Sequence, residues 1–176
     1  FDFLQKNASS YGFEVEEIPR QDIEDLAISS TRIRHSLLSG HVDEAQHLLG
    51  RPYSITGIIV KGKQLGRTIG FPTANIHLQE SYKLIPANGV YVINAYHQGA
   101  AYKGMLNIGV RPTVDGTFRT IEANLFDFDQ EIYGEDLTIE LLHYLRPEQK
   151  FNGLDALIQQ INIDKEHALA FFKNQA

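Results

Sequence analysis

Cysteine is absent from the 176 residues. That excludes a disulfide framework and a thiolate metal site, and it fits a reducing cytoplasm. Methionine occurs once, at Met105. A chain that begins at Phe1 is therefore expected to be a fragment, or the ordered part, of something longer. Positive charge is scarce: 16 Lys and Arg against 22 Asp and Glu leave a net charge of −6. The sequence pI of about 5.6 disfavours a nucleic-acid-binding surface, which is normally basic, while leaving room for a local cationic patch serving one nucleotide. No apolar run approaches the roughly 20 residues of a membrane-spanning helix, and the first residues do not read as a signal peptide. Hydrophobic content of 43% is ordinary and supports a core. The length suits one domain, or one domain plus a piece of another.

Against that plain background, residues 57–75 stand out: GIIVKGKQLGRTIGFPTAN. The β-branched run Ile58-Ile59-Val60 stops at Lys61, and Gly62, Gly66 and Gly70 then recur with Lys63 and Arg67 between them. Such glycine density after a strand predicts a loop without helix, one whose backbone bends tightly or approaches something closely. Bare glycine N–H groups and two cations suit phosphate oxygens. Pro72 fixes the backbone and holds Phe71 extended. Thr73 and Asn75 share one face of a strand, and their oxygens suit a hard cation such as Mg²⁺, which keeps waters and shares phosphates. Gly57 to Lys63 imitates the start of a P-loop, but Gln64 stands where Ser or Thr holds the metal, and no G-x-G-x-x-G occurs. On composition alone, a solvated glycine-rich hairpin loop explains the stretch equally well.

The stretch GKQLGRTIGFPTAN resembles the signature of riboflavin kinase, the module that makes FMN from riboflavin and ATP. In bacteria it usually forms the C-terminal half of a bifunctional FAD synthetase. The resemblance implies that Gly62, Lys63, Gly66, Arg67, Gly70, Phe71 and Pro72 cover ATP phosphates, and that Thr73 and Asn75 hold Mg²⁺ and phosphate. It also implies small-molecule partners, with ATP and riboflavin as substrates and ADP and FMN as products.

Residues 1–50 read as a small α/β remnant. A short helix ends near Gly12, Phe13 to Glu16 alternate like a strand, and Pro19 to Asp25 are loop-like. Ser30 or Thr31 caps a helix that runs to Gly40. By composition, SSTRIR is simply a capped helix. In context it resembles the I-S-S-T-x-x-R motif of nucleotidyltransferases, here the FMN adenylyltransferase half of FAD synthetase. There Ser29, Ser30, Thr31 and Arg34 would bind a triphosphate. That half also needs an H-x-G-H, which none of the seven histidines forms. Residues 1–50 are thus expected to be the tail of that domain, unable to make FAD alone. His41 and His47 do not stack on a helix and read as surface or packing residues. Val42, Ala45, Leu48 and Leu49 line one face of a further helix that stops at Gly50. Arg51-Pro52 marks the joint, with residues 51–176 as the kinase domain.

From Tyr53 the texture is β. Strands are expected at Tyr53–Lys61, Phe71–His77, Gly89–His97, Ala101–Gly109, Arg119–Phe126 and Asp136–Leu145, with Asn88-Gly89 read as a hairpin turn. Six antiparallel strands without intervening helices predict a mainly β fold, a closed six-stranded barrel. The resemblance implies the same barrel with a C-terminal helix. Residues 153–173 supply an apolar stripe at helical spacing, with Asp164 expected to cap a second segment.

On the strand around Glu122, Ile121, Ala123 and Leu125 alternate inward, and Thr120, Glu122 and Asn124 share the other face. A strand glutamate is commonly just solvated. The resemblance makes Glu122 the general base that accepts the riboflavin 5′-hydroxyl proton. It also makes Arg111 (in N-I-G-V-R-P-T), Asn124, Arg146 and Phe151 candidate neighbours of flavin or phosphate. A flavin- or nucleotide-binding barrel without chemistry is the alternative.

Overall fold

The computed structural model describes residues 1–17, 22–23, 26–62, 64–113 and 116–175, with the backbone alone at 22–23, 26–27, 65, 112–113 and 116–117. The chain forms two compact units, Phe1–Ser30 and Thr31–Ala176.

In the first unit, helix α1 (Asp2–Tyr11) ends at Gly12, whose φ of 71° is left-handed and whose N–H bonds the Ala8 carbonyl. Strands β1 (Asp22–Ile23) and β2 (Leu26–Ala27) pair antiparallel. Phe13 to Glu16 do not form the expected strand. Alternation without a partner makes no ladder, and among the described residues nothing pairs with this segment. Of the loop expected over Pro19–Asp25, only Asp22–Ile23 falls within the described residues, and it is β1.

The second unit takes in α2 (Ser30–Leu38) from Thr31 onward and α3 (Val42–Leu49), the latter stopped by Gly50 at φ 69°. Arg32 and Ser36 of α2 both donate to the Glu44 carboxylate of α3. Those two hydrogen bonds, Arg32 first, hold its carboxyl below the usual carboxylate range. Six strands follow: β3 (Tyr53–Val60), β4 (Ala74–His77), β5 (Gly89–His97), β6 (Ala100–Thr113), β7 (Gly116–Leu125) and β8 (Asp136–Arg146). They close a barrel in the order β3-β4-β7-β6-β5-β8, and each neighbouring pair is antiparallel. A single-turn helix α4 (Leu65–Thr68) interrupts the glycine loop where none was expected. Helix α5 (Leu154–Asn174) follows the barrel.

The alternation seen in the sequence is the barrel's inside and outside. Ile55 and Ile59, Tyr91 and Ile93, Leu106 and Ile108, Ile121 and Ala123, and Leu137, Ile139 and Leu141 are buried in one cluster. Each large apolar side chain so buried stabilises the fold by about 1.5–3 kcal/mol. Leu37, Val42 and Ala45 of α2 and α3 belong to the same cluster. The joint expected at Arg51-Pro52 is therefore not where packing divides the chain.

Asn88-Gly89 is not a hairpin turn. It lies on the connection from β4 to β5, strands that are not neighbours in the barrel. That connection has no ladder of its own, so side chains satisfy its carbonyls. Tyr53 donates to Leu84 at 2.8 Å, Arg119 to Ile85 at 3.2 Å and Pro86 at 2.5 Å, Tyr91 to Ala87 at 2.5 Å, and Tyr144 to Asn88 at 3.2 Å.

On the outside of the sheet, Val92, Met105 and Phe126 pack under Ala168 and Phe172 of α5. The helix runs unbroken past Asp164. That residue caps nothing: it is 3% exposed and takes a two-pronged ion pair from Arg146, at 2.8 and 2.7 Å.

Candidate active site

Between α5, the outer faces of β6 and β7, and the glycine loop lies a cleft of about 310 Å³. Its floor and roof are apolar: Val90, Met105, Phe71, Phe151, Leu157 and Ile161. One wall is the polar face of β7, Thr120, Glu122 and Asn124, with Asn107 and Arg111 beside it on β6. Among the further polar groups of its lining is the Arg146–Asp164 pair; the Arg146 guanidinium also sits over the Phe151 ring at 5.7 Å. Apolar surfaces facing fixed polar groups are what an aromatic ligand with polar edges requires.

Thr73 and Asn75 enter the cleft from β4 and the residue before it. Asn75 stands opposite Glu122 in the β4–β7 register. Asn124, buried, donates its Nδ2 to the Pro72 carbonyl at 2.7 Å and fixes the backbone leading to Thr73. Two glycines are explained by close approach. A side chain at Gly62 would run into the Asn75 amide, and one at Gly66 into the Phe71 carbonyl, with Thr73 Oγ1 at 3.3 Å. Gly70 turns the loop back at φ 82°.

A second cleft, of about 260 Å³, opens on the other side of this segment. It is lined by Arg67, Pro72, Phe128, Glu131 and Tyr133, with the inward-facing Ala123 and Leu125 at its base. Gln64 and Thr73 line both clefts. Across its mouth Arg67 pairs with Glu131 at 3.1 Å, and Gln64 donates to the Tyr133 hydroxyl at 3.2 Å.

The expected site residues thus separate. Gly66, Phe71, Thr73, Asn75, Arg111, Glu122, Asn124, Arg146 and Phe151 meet in the first cleft. Arg67 and Pro72 belong to the second. Lys63 lies outside the described residues. Ser29 and Ser30 belong to the first unit, and Thr31 and Arg34 lie exposed on α2, in the lining of neither cleft. Glu122 is not the solvated carboxylate of the ordinary strand surface: its side chain is 17% exposed, and Arg111 pairs with its Oε1 at 2.5 Å. Sequence reading missed Asp164 as a wall of the cleft. The signal was present, since an acid three residues after Ile161 and four before Ala168 falls on the apolar stripe.

Among the described residues no group of three or more His, Asp or Glu converges as a metal cage. The oxygens of Thr73 and Asn75 fit instead a small hard cation that brings waters and phosphates with it.

A family model described as "Flavokinase: Riboflavin kinase" matches residues 49–172. The chain is 46% identical over 163 residues to the bifunctional riboflavin kinase/FMN adenylyltransferase of Bacillus subtilis (strain 168), covering 91% of this chain and 50% of that protein. It is 42% identical over 175 residues to the protein of the same description from Haemophilus influenzae, covering 99% and 56%. A solved structure described as a macrolide-efflux protein from Streptococcus pneumoniae is 41% identical, with a TM-score of 0.82, over 92% of this chain and 53% of that one. The chain spans about half the length of the curated relatives it matches.

Proposed function

This chain belongs to the riboflavin kinase family, and from that membership we propose that it transfers the γ-phosphoryl group of ATP to the 5′-hydroxyl of riboflavin, giving FMN and ADP. The observation that carries the reading is the meeting of two clefts at Thr73. Phosphoryl transfer needs donor and acceptor sites that touch at the reacting phosphorus, with attacking and leaving oxygens in line. The first cleft has the shape and polarity for a flavin. The second, with Arg67 and the rings of Phe128 and Tyr133, suits a nucleotide.

Glu122 is the carboxylate of the first cleft nearest β4. It accepts the proton of the 5′-hydroxyl as that oxygen bonds to the γ-phosphorus. The bond to the β-phosphate oxygen breaks, and ADP leaves. The transition state is loose, so the hydroxyl needs little early deprotonation, and a carboxylate within hydrogen-bond reach is sufficient. Alignment across the shared wall supplies most of the acceleration. Thr73 and Asn75 would hold Mg²⁺, which when bound neutralises charge on the transferring phosphate. The Arg146 guanidinium, both prongs held by Asp164, would set a fixed polar edge beside the flavin, and Phe151 a stacking wall.

Residues 1–50 are proposed as the end of an FMN adenylyltransferase domain, so that a longer protein of this type, acting in the cytoplasm, would also make FAD. Incubation of this chain with riboflavin, ATP and Mg²⁺, followed by chromatographic separation of flavins, should give FMN and no FAD. Absence of any product would leave a passive binding barrel. FAD would overturn the assignment of residues 1–50.

A further inference from the structure

Arg111 makes a contact that the reaction as described does not use. It sits on β6 opposite Phe118, whereas Glu122 sits on β7 opposite Asn107. The two are four residues apart along the ladder, roughly 13 Å at the rise of an antiparallel strand. The guanidinium nonetheless reaches Glu122 Oε1 at 2.5 Å, crossing the level of Gly109, where the Glu148 carboxylate fills the space a side chain would take. Its own side chain is 45% exposed and that of Glu122 is 17% exposed. Arg111 therefore reaches inward along the wall from a wetter position. Of the remaining charges of the cleft, Arg146 and Asp164 pair with each other, and Glu148 lies against Gly109 and Asn88, on the stretch of wall that Arg111 crosses.

We propose that Arg111 is a positioning residue for Glu122: it holds Oε1 so that Oε2 is presented to the substrate hydroxyl. The inference rests on the reading of Glu122 as the base. A carboxylate has two equivalent oxygens on a flexible stem. Fixing one by a charged hydrogen bond removes rotamers in which neither faces the acceptor. Arg111 then acts only through Glu122, touching neither flavin nor phosphate.

A double-mutant cycle reads this directly, because residues that act as one unit are non-additive. Arg111→Met should lower kcat by about ten- to a hundred-fold, the scale of losing an aligned group. KM for riboflavin and for ATP should stay within about two-fold, as expected when an interaction of the transition state alone is lost. Arg111→Lys, which keeps charge but not the fork, should recover part of kcat. In a Glu122→Gln background, Arg111→Met should cost less than two-fold further. An equal loss in both backgrounds, or a rise in KM for ATP, overturns the proposal and makes Arg111 a structural or phosphate-binding group. If Glu122→Gln alone retains near-normal kcat, the base assignment fails first, and this inference with it. Thermal melting of each variant separates a folding defect from a catalytic one.

Discussion

Gly62 and Gly66 look alike in the sequence, but the structure gives them different tasks. Beside Gly62 lies the far end of the Asn75 side chain; beside Gly66 lies the backbone carbonyl of Phe71. A rotamer can yield, whereas a carbonyl in a tight turn cannot, and the Phe71 N–H already bonds the Gly66 carbonyl at 2.8 Å. Gly62→Ala should therefore leave the melting temperature nearly unchanged while displacing Asn75. The expected result is a fall in kcat/KM for ATP of about ten-fold, on the scale of a misplaced ligand, with KM for riboflavin unaffected. An unchanged rate with ATP would mean that Asn75 does not serve the nucleotide. At this scale the sequence was informative about residue type and face. It placed Thr120, Glu122 and Asn124 on one polar face, and all three line the cleft. It was silent on Arg111 as a partner of Glu122, because a diagonal contact across two strands depends on register, and register is not written in either strand alone.

The strands were legible as elements because period-two alternation is forced by a barrel with a packed interior. Helix α5 was legible as an apolar stripe but misread as broken at Asp164. Asp is a good N-cap, and only the tertiary partner reveals that this one is buried. Arg146 reaches it from the end of β8, and both side chains are largely covered, at 18% and 4% exposure. Gln160 donates to the same carboxylate at 2.9 Å. The pair pins the middle of α5 over the cleft, so the roof of the proposed flavin site and the stability of the helix depend on one contact. Asp164→Ala leaves Arg146 partly buried without its counter-ion, and removing one partner of a buried pair costs about 3–5 kcal/mol. Urea unfolding should show that loss. The double variant Arg146→Met/Asp164→Leu, which removes both charges, should recover much of the stability but not riboflavin affinity. If Asp164→Ala melts like the parent protein, α5 is held by its apolar contacts with Val92 and Met105 and the ion pair is incidental.

At the scale of the whole chain, two signals point to different joints. Arg51-Pro52 is where helical texture gives way to strand texture, and the family match begins close by, at residue 49. Packing divides the chain earlier, between Ser30 and Thr31. The sequence announced that α3 has an apolar face but not what that face covers. The structure supplies the answer: Leu37, Val42, Ala45 and Leu48 are at most 4% exposed, and the Leu37 carbonyl accepts from the Ala87 N–H at 2.9 Å on the β4–β5 connection. Removing α2 and α3 would uncover the apolar end of the barrel core and leave that N–H without its acceptor. With each buried Leu or Val worth about 1.5–3 kcal/mol, the loss approaches the roughly 5–15 kcal/mol that holds an ordinary domain together. A fragment from Thr31 to Ala176 should thus unfold in one cooperative transition and phosphorylate riboflavin at the rate of the full chain. A fragment that begins at Arg51 should melt far lower or aggregate, although it contains every residue of both clefts. If the shorter fragment were as stable and as active as the longer one, the two helices would belong to the preceding domain in energy as well as in texture.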